Sequence, residues 1–134
     1  MSLRHWKATE WEGRLREVFD RIDDELEAKY GRQYPLHPAR PPAGSTASRE
    51  ADGLFDIGAV FTPGFGSHHG RGYLVEVRLA TPAKVPPAVV EQIEEEVVER
   101  LKALLPEAFP GRELRVERDG HLYKIIGDLS LGPV

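Results

Sequence analysis

Glu113-Leu114-Arg115-Val116-Glu117-Arg118-Asp119-Gly120-His121-Leu122-Tyr123-Lys124-Ile125-Ile126-Gly127 is the stretch that decides the fold. Apolar and charged residues alternate on both sides of Asp119-Gly120, the strongest short hairpin signal a sequence offers. A two-residue Asp119-Gly120 turn of type I′ sets Arg118 opposite His121, Val116 opposite Tyr123 and Leu114 opposite Ile125. All six side chains then share one face. Four of them are apolar, so turn chemistry and hydrophobic pattern agree independently.

Upstream lies an acidic helix expected over 86–105. Its first turn holds Pro86 and Pro87, where a missing N–H costs nothing. Val90, Ile93, Val97, Leu101, Leu104 and Ala108 recur at helical spacing and form its apolar stripe. Glu94 and Glu95 fall largely away from that stripe and read as a solvated face. Glu96 and Arg100, four residues apart, have the spacing of an exposed ion pair. Pro106, and then Pro110-Gly111, are expected to end the element.

Further upstream, residues 54–81 read as a second hairpin. Phe55, Ile57, Ala59 and Phe61 alternate onto one face, as do Tyr73, Val75, Val77 and Leu79. The first element is a helix over 9–30. Thr9 and Glu12 have capping-box spacing, Trp11, Leu15, Val18, Ile22 and Leu26 share a face, and Gly31 suits the C-cap. The order α-β-β-α-β-β predicts an α+β two-layer sandwich, a mainly antiparallel four-stranded sheet with helices packed on it. The last hairpin occupies 113–129.

The chain of 134 residues fits one domain spanning 1–134. It has no cysteine, which removes disulfides, thiolate nucleophiles and Cys-type zinc sites and fits a cytoplasmic location. No run of about 18 apolar residues exists, so no membrane span is expected. Eighteen basic against 22 acidic residues give a net charge of −4, which argues against general nucleic-acid binding.

Two segments stand apart. The connection Pro63-Gly64-Phe65-Gly66-Ser67-His68-His69-Gly70-Arg71 is too long for a tight turn. Gly64, Gly66 and Gly70 let backbone N–H groups approach an anion, Ser67 adds a hydroxyl and Arg71 a charge. The spacing is neither the dinucleotide fingerprint nor a P-loop, and it leads into a strand rather than a helix. His68 and His69 offer imidazoles to a divalent metal such as zinc. Adjacent side chains diverge, and a third ligand is needed from His121, His37 or Asp56. No cofactor is predicted beyond that possibility.

The second segment is the proline-rich arm at 32–53, from Arg32 to Gly53. Its prolines at 35, 38, 41 and 42 favour extended backbone. Tyr34 and Leu36 are apolar anchors that a solvated linker would not need. The arm fits either a crossing over its own domain or contact with a neighbouring protomer.

The sheet face opposite the alternating core carries Val60, Leu74, Leu122 and Ile126 among charged residues. These are too many for a plainly solvated face. Either the first helix covers them or another copy of the chain does, so Val60, Leu74, Leu122, Ile126, Tyr34 and Leu36 are the candidate interface. The expected function is a non-catalytic binding or assembly domain forming a homo-oligomer. The alternative is a small metal- or anion-binding enzyme with its site at loop 63–72, its small-molecule ligand unknown.

Overall fold

The computed structural model describes residues 3–64 and 70–129, with the side chains of 3–8 outside that set. Helix α1 spans Leu3–Tyr30, strand β1 Phe55–Thr62 and strand β2 Gly72–Leu79. Helix α2 spans Pro87–Ala108, β3 Leu114–Asp119 and β4 Leu122–Gly127. The strands form one antiparallel sheet in the order β1-β2-β4-β3, so β1 and β3 are its edges. The expected α+β order is the observed one.

Both helices pack on one face of that sheet. Trp11, Leu15, Phe19, Ile22 and Leu26 of α1 and Ile93, Val97 and Leu101 of α2 form one core with Phe55, Ile57, Val75, Val116 and Ile125. Side-chain alternation puts those five strand residues on the same face. The first helix therefore does not cover the other face.

Two helix boundaries differ from the sequence expectation. Helix α1 begins at Leu3, so Thr9 and Glu12 lie inside it rather than at its cap. No glycine or proline between Leu3 and Thr9 interrupts it, and each residue added to a formed helix gains a bond. Helix α2 runs through Pro106 to Ala108. Pro106 removes only the donor to Lys102, which sits on the solvent side, while buried Leu104, Leu105 and Phe109 hold the last turn on the core.

The second hairpin closes one step later than an Asp119-Gly120 turn requires. Asp119 pairs with Leu122, Arg118 with Tyr123, Val116 with Ile125 and Leu114 with Gly127. Gly120 and His121 are the central residues. Gly120 has φ +67°, and no non-glycine described residue has positive φ, which is the type II′ pattern. A type I′ turn at Asp119-Gly120 would have forced Asp119 into positive φ. The displacement is two residues on the partner strand, so every side chain keeps the face the pattern assigned.

The expected Glu96–Arg100 pair is replaced by bridges between helices. Glu96 accepts from Lys29 Nζ and, at 2.6 Å, from the Tyr30 hydroxyl, while Arg100 Nε donates to Glu25 at 2.9 Å. The acidic side of α2 thus helps to dock α1.

The arm crosses its own domain. His37 N donates to Ala80 O at 2.9 Å, and Tyr34 packs against the core with Leu36 half-buried. One guanidinium organises the return: Arg40 donates to the carbonyls of Gly53, Glu50, Asp52 and Phe55 at 2.6–3.2 Å. Asp52, 1% exposed, accepts from the Thr46 amide and hydroxyl at 3.0 and 2.8 Å. Burial opposes its ionisation, but the Thr46 and Gly44 hydrogen bonds and the Arg49 charge outweigh it and hold the carboxyl below its usual range.

Candidate binding surface

The sheet face without helices is half apolar at its centre. Val60 of β1 faces Leu74 of β2, and Leu74 faces Lys124 of β4. Val60 is 51% exposed and Leu122 44%. Asp56 and Arg78, partners across the ladder, close one end of this face with a 3.1 Å ion pair. Ile126 is only 5% exposed, so of the four apolar residues expected on this face it offers no surface. Tyr34 and Leu36, which pack on their own chain, likewise present little to a partner.

Lys124 sits on the same face and is 1% exposed. A lysine on the sheet face away from the helices reads as surface, and the sequence expectation placed it there. Its stem lies over Gly72, where a Cβ would come within 2.8 Å of Lys124 Cγ and Cδ. Its ammonium donates to Gly70 O at 2.7 Å and to the Asp119 carboxylate at 2.8 Å. A glycine opening a strand marks close approach by another group, which is the signal that could have revealed this.

Lys124 thereby anchors one end of the glycine loop. The loop's two ends touch: a Cβ at Gly64 would lie 2.0 Å from Gly70 C, and Gly64 and Gly70 have φ +82° and +74°. Both glycines are therefore required by the neck itself. Arg71 is exposed beside it. Gly66, Ser67, His68 and His69 lie outside the described residues. The proposed third metal ligands are dispersed: His37 Nδ1 accepts from Ala39 N at 3.1 Å, Asp56 pairs with Arg78, and His121 is exposed in the hairpin turn. Among the described residues no group of three His, Cys, Asp or Glu side chains is placed to hold a metal.

A groove of about 310 Å³ runs between α1 and the end of β1. Glu12, Leu15, Arg16, Phe61 and Tyr73 line it. Phe61, 49% exposed, stacks at 5.6 Å on Tyr73, whose hydroxyl accepts from Trp11 Nε1 at 3.0 Å. Burial raises the Tyr73 pKa against the opposing Trp11 hydrogen bond. Arg16 borders the groove, held by Asp20 at 2.9 Å and Glu50 at 3.0 Å, and donates to Ile57 O at 2.9 Å.

One buried acid escaped the sequence reading. Asp23 is 1% exposed, and neither carboxyl oxygen has a hydrogen-bond partner among the described residues. Burial, then the neighbouring Glu27 and Asp24 charges, push its pKa to about 8, with Arg16 opposing. The signal was available: Asp23 is four residues from Phe19 and next to Ile22, within the apolar stripe of α1.

A family model described as "Uncharacterised protein" matches residues 6–127. The chain belongs to this family. The matched span starts within α1 and ends with β4, so it takes in most of α1, the other helix, all four strands, the arm and the glycine loop. A relative of the chain from Borreliella burgdorferi (strain ATCC 35210 / DSM 4680 / CIP 102532 / B31), itself described as an uncharacterized protein, is 36% identical over 121 residues. That alignment covers 90% of this chain and 94% of the relative. No solved structure matches the chain. Among the described residues no helix of this family member is long and apolar enough to cross a membrane.

Proposed function

We propose that this family member is a non-catalytic binding or assembly domain that forms a homo-oligomer in the cytoplasm. One observation carries the reading: both helices cover the same face of the sheet, Val60 and Leu122 stand 51% and 44% exposed on the uncovered face, and Phe61 stands 49% exposed at the β1 edge. Large apolar side chains left exposed on an uncovered sheet face and at its edge mark a contact surface. The charges around them are of both signs, as in the Asp56–Arg78 pair, which suits contact with a like surface better than with a polyanion.

Light scattering coupled to gel filtration tests this. The expected result is a mass that is a multiple of the 15.0 kDa chain across the micromolar range. A mass of one chain at high micromolar concentration would refute it.

A further inference from the structure

Strand β1 is an edge of the sheet, and only part of that edge is covered. Ala80 N donates to Leu54 O at 2.7 Å, so in the ladder with β2 the even-numbered residues of β1 turn their backbone groups inward. The odd-numbered residues turn theirs outward. Phe55 confirms the alternation, since its N–H reaches Glu27 and its carbonyl Arg40, both outside the sheet. The Ile57 carbonyl is taken by Arg16. Beyond that point, no described group pairs with the outward N–H and C=O of Ala59 or Phe61. A free edge of this kind is a template for another strand, and natural edges are usually blunted by lysine, proline or a bulge. The open stretch Gly58-Ala59-Val60-Phe61-Thr62 has none of these.

We infer that the oligomer forms by antiparallel pairing of β1 with β1 of a second copy, centred on Val60, joining two four-stranded sheets into one. The inference rests on the assembly reading above and names its surface. Two features make the edge complementary to itself. Centring on Val60 places Ala59 opposite the second copy's Phe61, and Phe61 opposite its Ala59. Those are the residues whose backbone groups point outward, so the pairing supplies partners for all of them.

The side chains fit as well. Val60 meets Val60 at the two-fold axis as a non-hydrogen-bonded pair, where side chains approach closest. The large Phe61 lies against the small Ala59 on the groove side.

The test uses the full chain by gel filtration with light scattering. Ala59→Pro removes an outward N–H and leaves the ladder with β2 intact. Val60→Lys adds a charge at an exposed edge position and guards against a folding defect in the proline variant. Leu122→Glu changes the open face two strands away. Under the inference the wild type is a dimer, and Ala59→Pro and Val60→Lys weaken dimerisation by about tenfold or more with wild-type circular dichroism. Leu122→Glu stays dimeric. A dimer that survives Ala59→Pro and Val60→Lys but dissociates in Leu122→Glu overturns the edge inference and leaves assembly standing. A wild type that is monomeric throughout overturns both, and leaves the edge to an extended segment of a different protein.

Discussion

At the scale of single residues, two buried ionisable side chains, Asp23 and Lys124, set how this domain responds to its surroundings. Asp23 keeps its proton in the folded chain to about pH 8, while an unfolded chain releases it near the ordinary value of 3.8. Below that value both states are protonated and Asp23 contributes no slope. Between the two values the unfolded state has lost the proton and the native state holds it, so stability falls as pH rises through this window. Asp23→Asn, which resembles the protonated acid, is expected to flatten that part of the profile. It should exceed the wild type at pH 9 by on the order of 1–3 kcal/mol in urea unfolding. A parallel pair of profiles would contradict this account. Lys124 has the opposite logic, because its ammonium is partnered by Asp119 and Gly70 O. Lys124→Met keeps the stem over Gly72 but strands both acceptors. It is expected to cost about 1–3 kcal/mol and to speed amide exchange at Gly70 and Arg71.

At the scale of elements, turns and tethers follow local chemistry more closely than local patterns suggest. The hairpin at Gly120-His121 needs positive φ only at its first central residue, so Gly120→Ala is expected to cost about 1–3 kcal/mol through strain alone. Nothing lies within 4 Å of a Cβ at that position. Gly127→Ala should cost more, since φ is +116° there and the new Cβ would sit 2.1 Å from Glu113 O; thermal unfolding of the two variants ranks them. The arm depends on a different device. Arg40→Met removes the donor shared by four carbonyls, and hydrogen exchange is expected to rise over 44–53 while β2 and β4 stay protected. An unchanged exchange pattern would mean that the Asp52–Thr46 contacts hold the arm alone.

At the scale of the whole molecule, the covered and uncovered surfaces of one sheet point to assembly, and the mass in solution with its response to Ala59→Pro decides it. Much of the architecture was legible beforehand. The period-two runs at 54–62, 72–81 and 113–127 and the helical stripes through Trp11 and Val97 determined the elements, their order and which strand residues share a face. Even the displaced hairpin kept those faces, because a two-residue shift preserves alternation. The candidate surface was half legible: Val60, Leu74 and Leu122 were identifiable from parity, but Ile126 and Lys124 were assigned to a surface that buries them. Periodicity records only what each element does along its own axis. Which face both helices share, that Arg40 ties the arm to its own domain, that Gly72 admits the Lys124 stem, and that Arg16 closes one end of β1 and leaves Ala59 and Phe61 open all depend on residues distant in the chain. Those contacts exist only once the layers have closed, so the tertiary structure alone decided them.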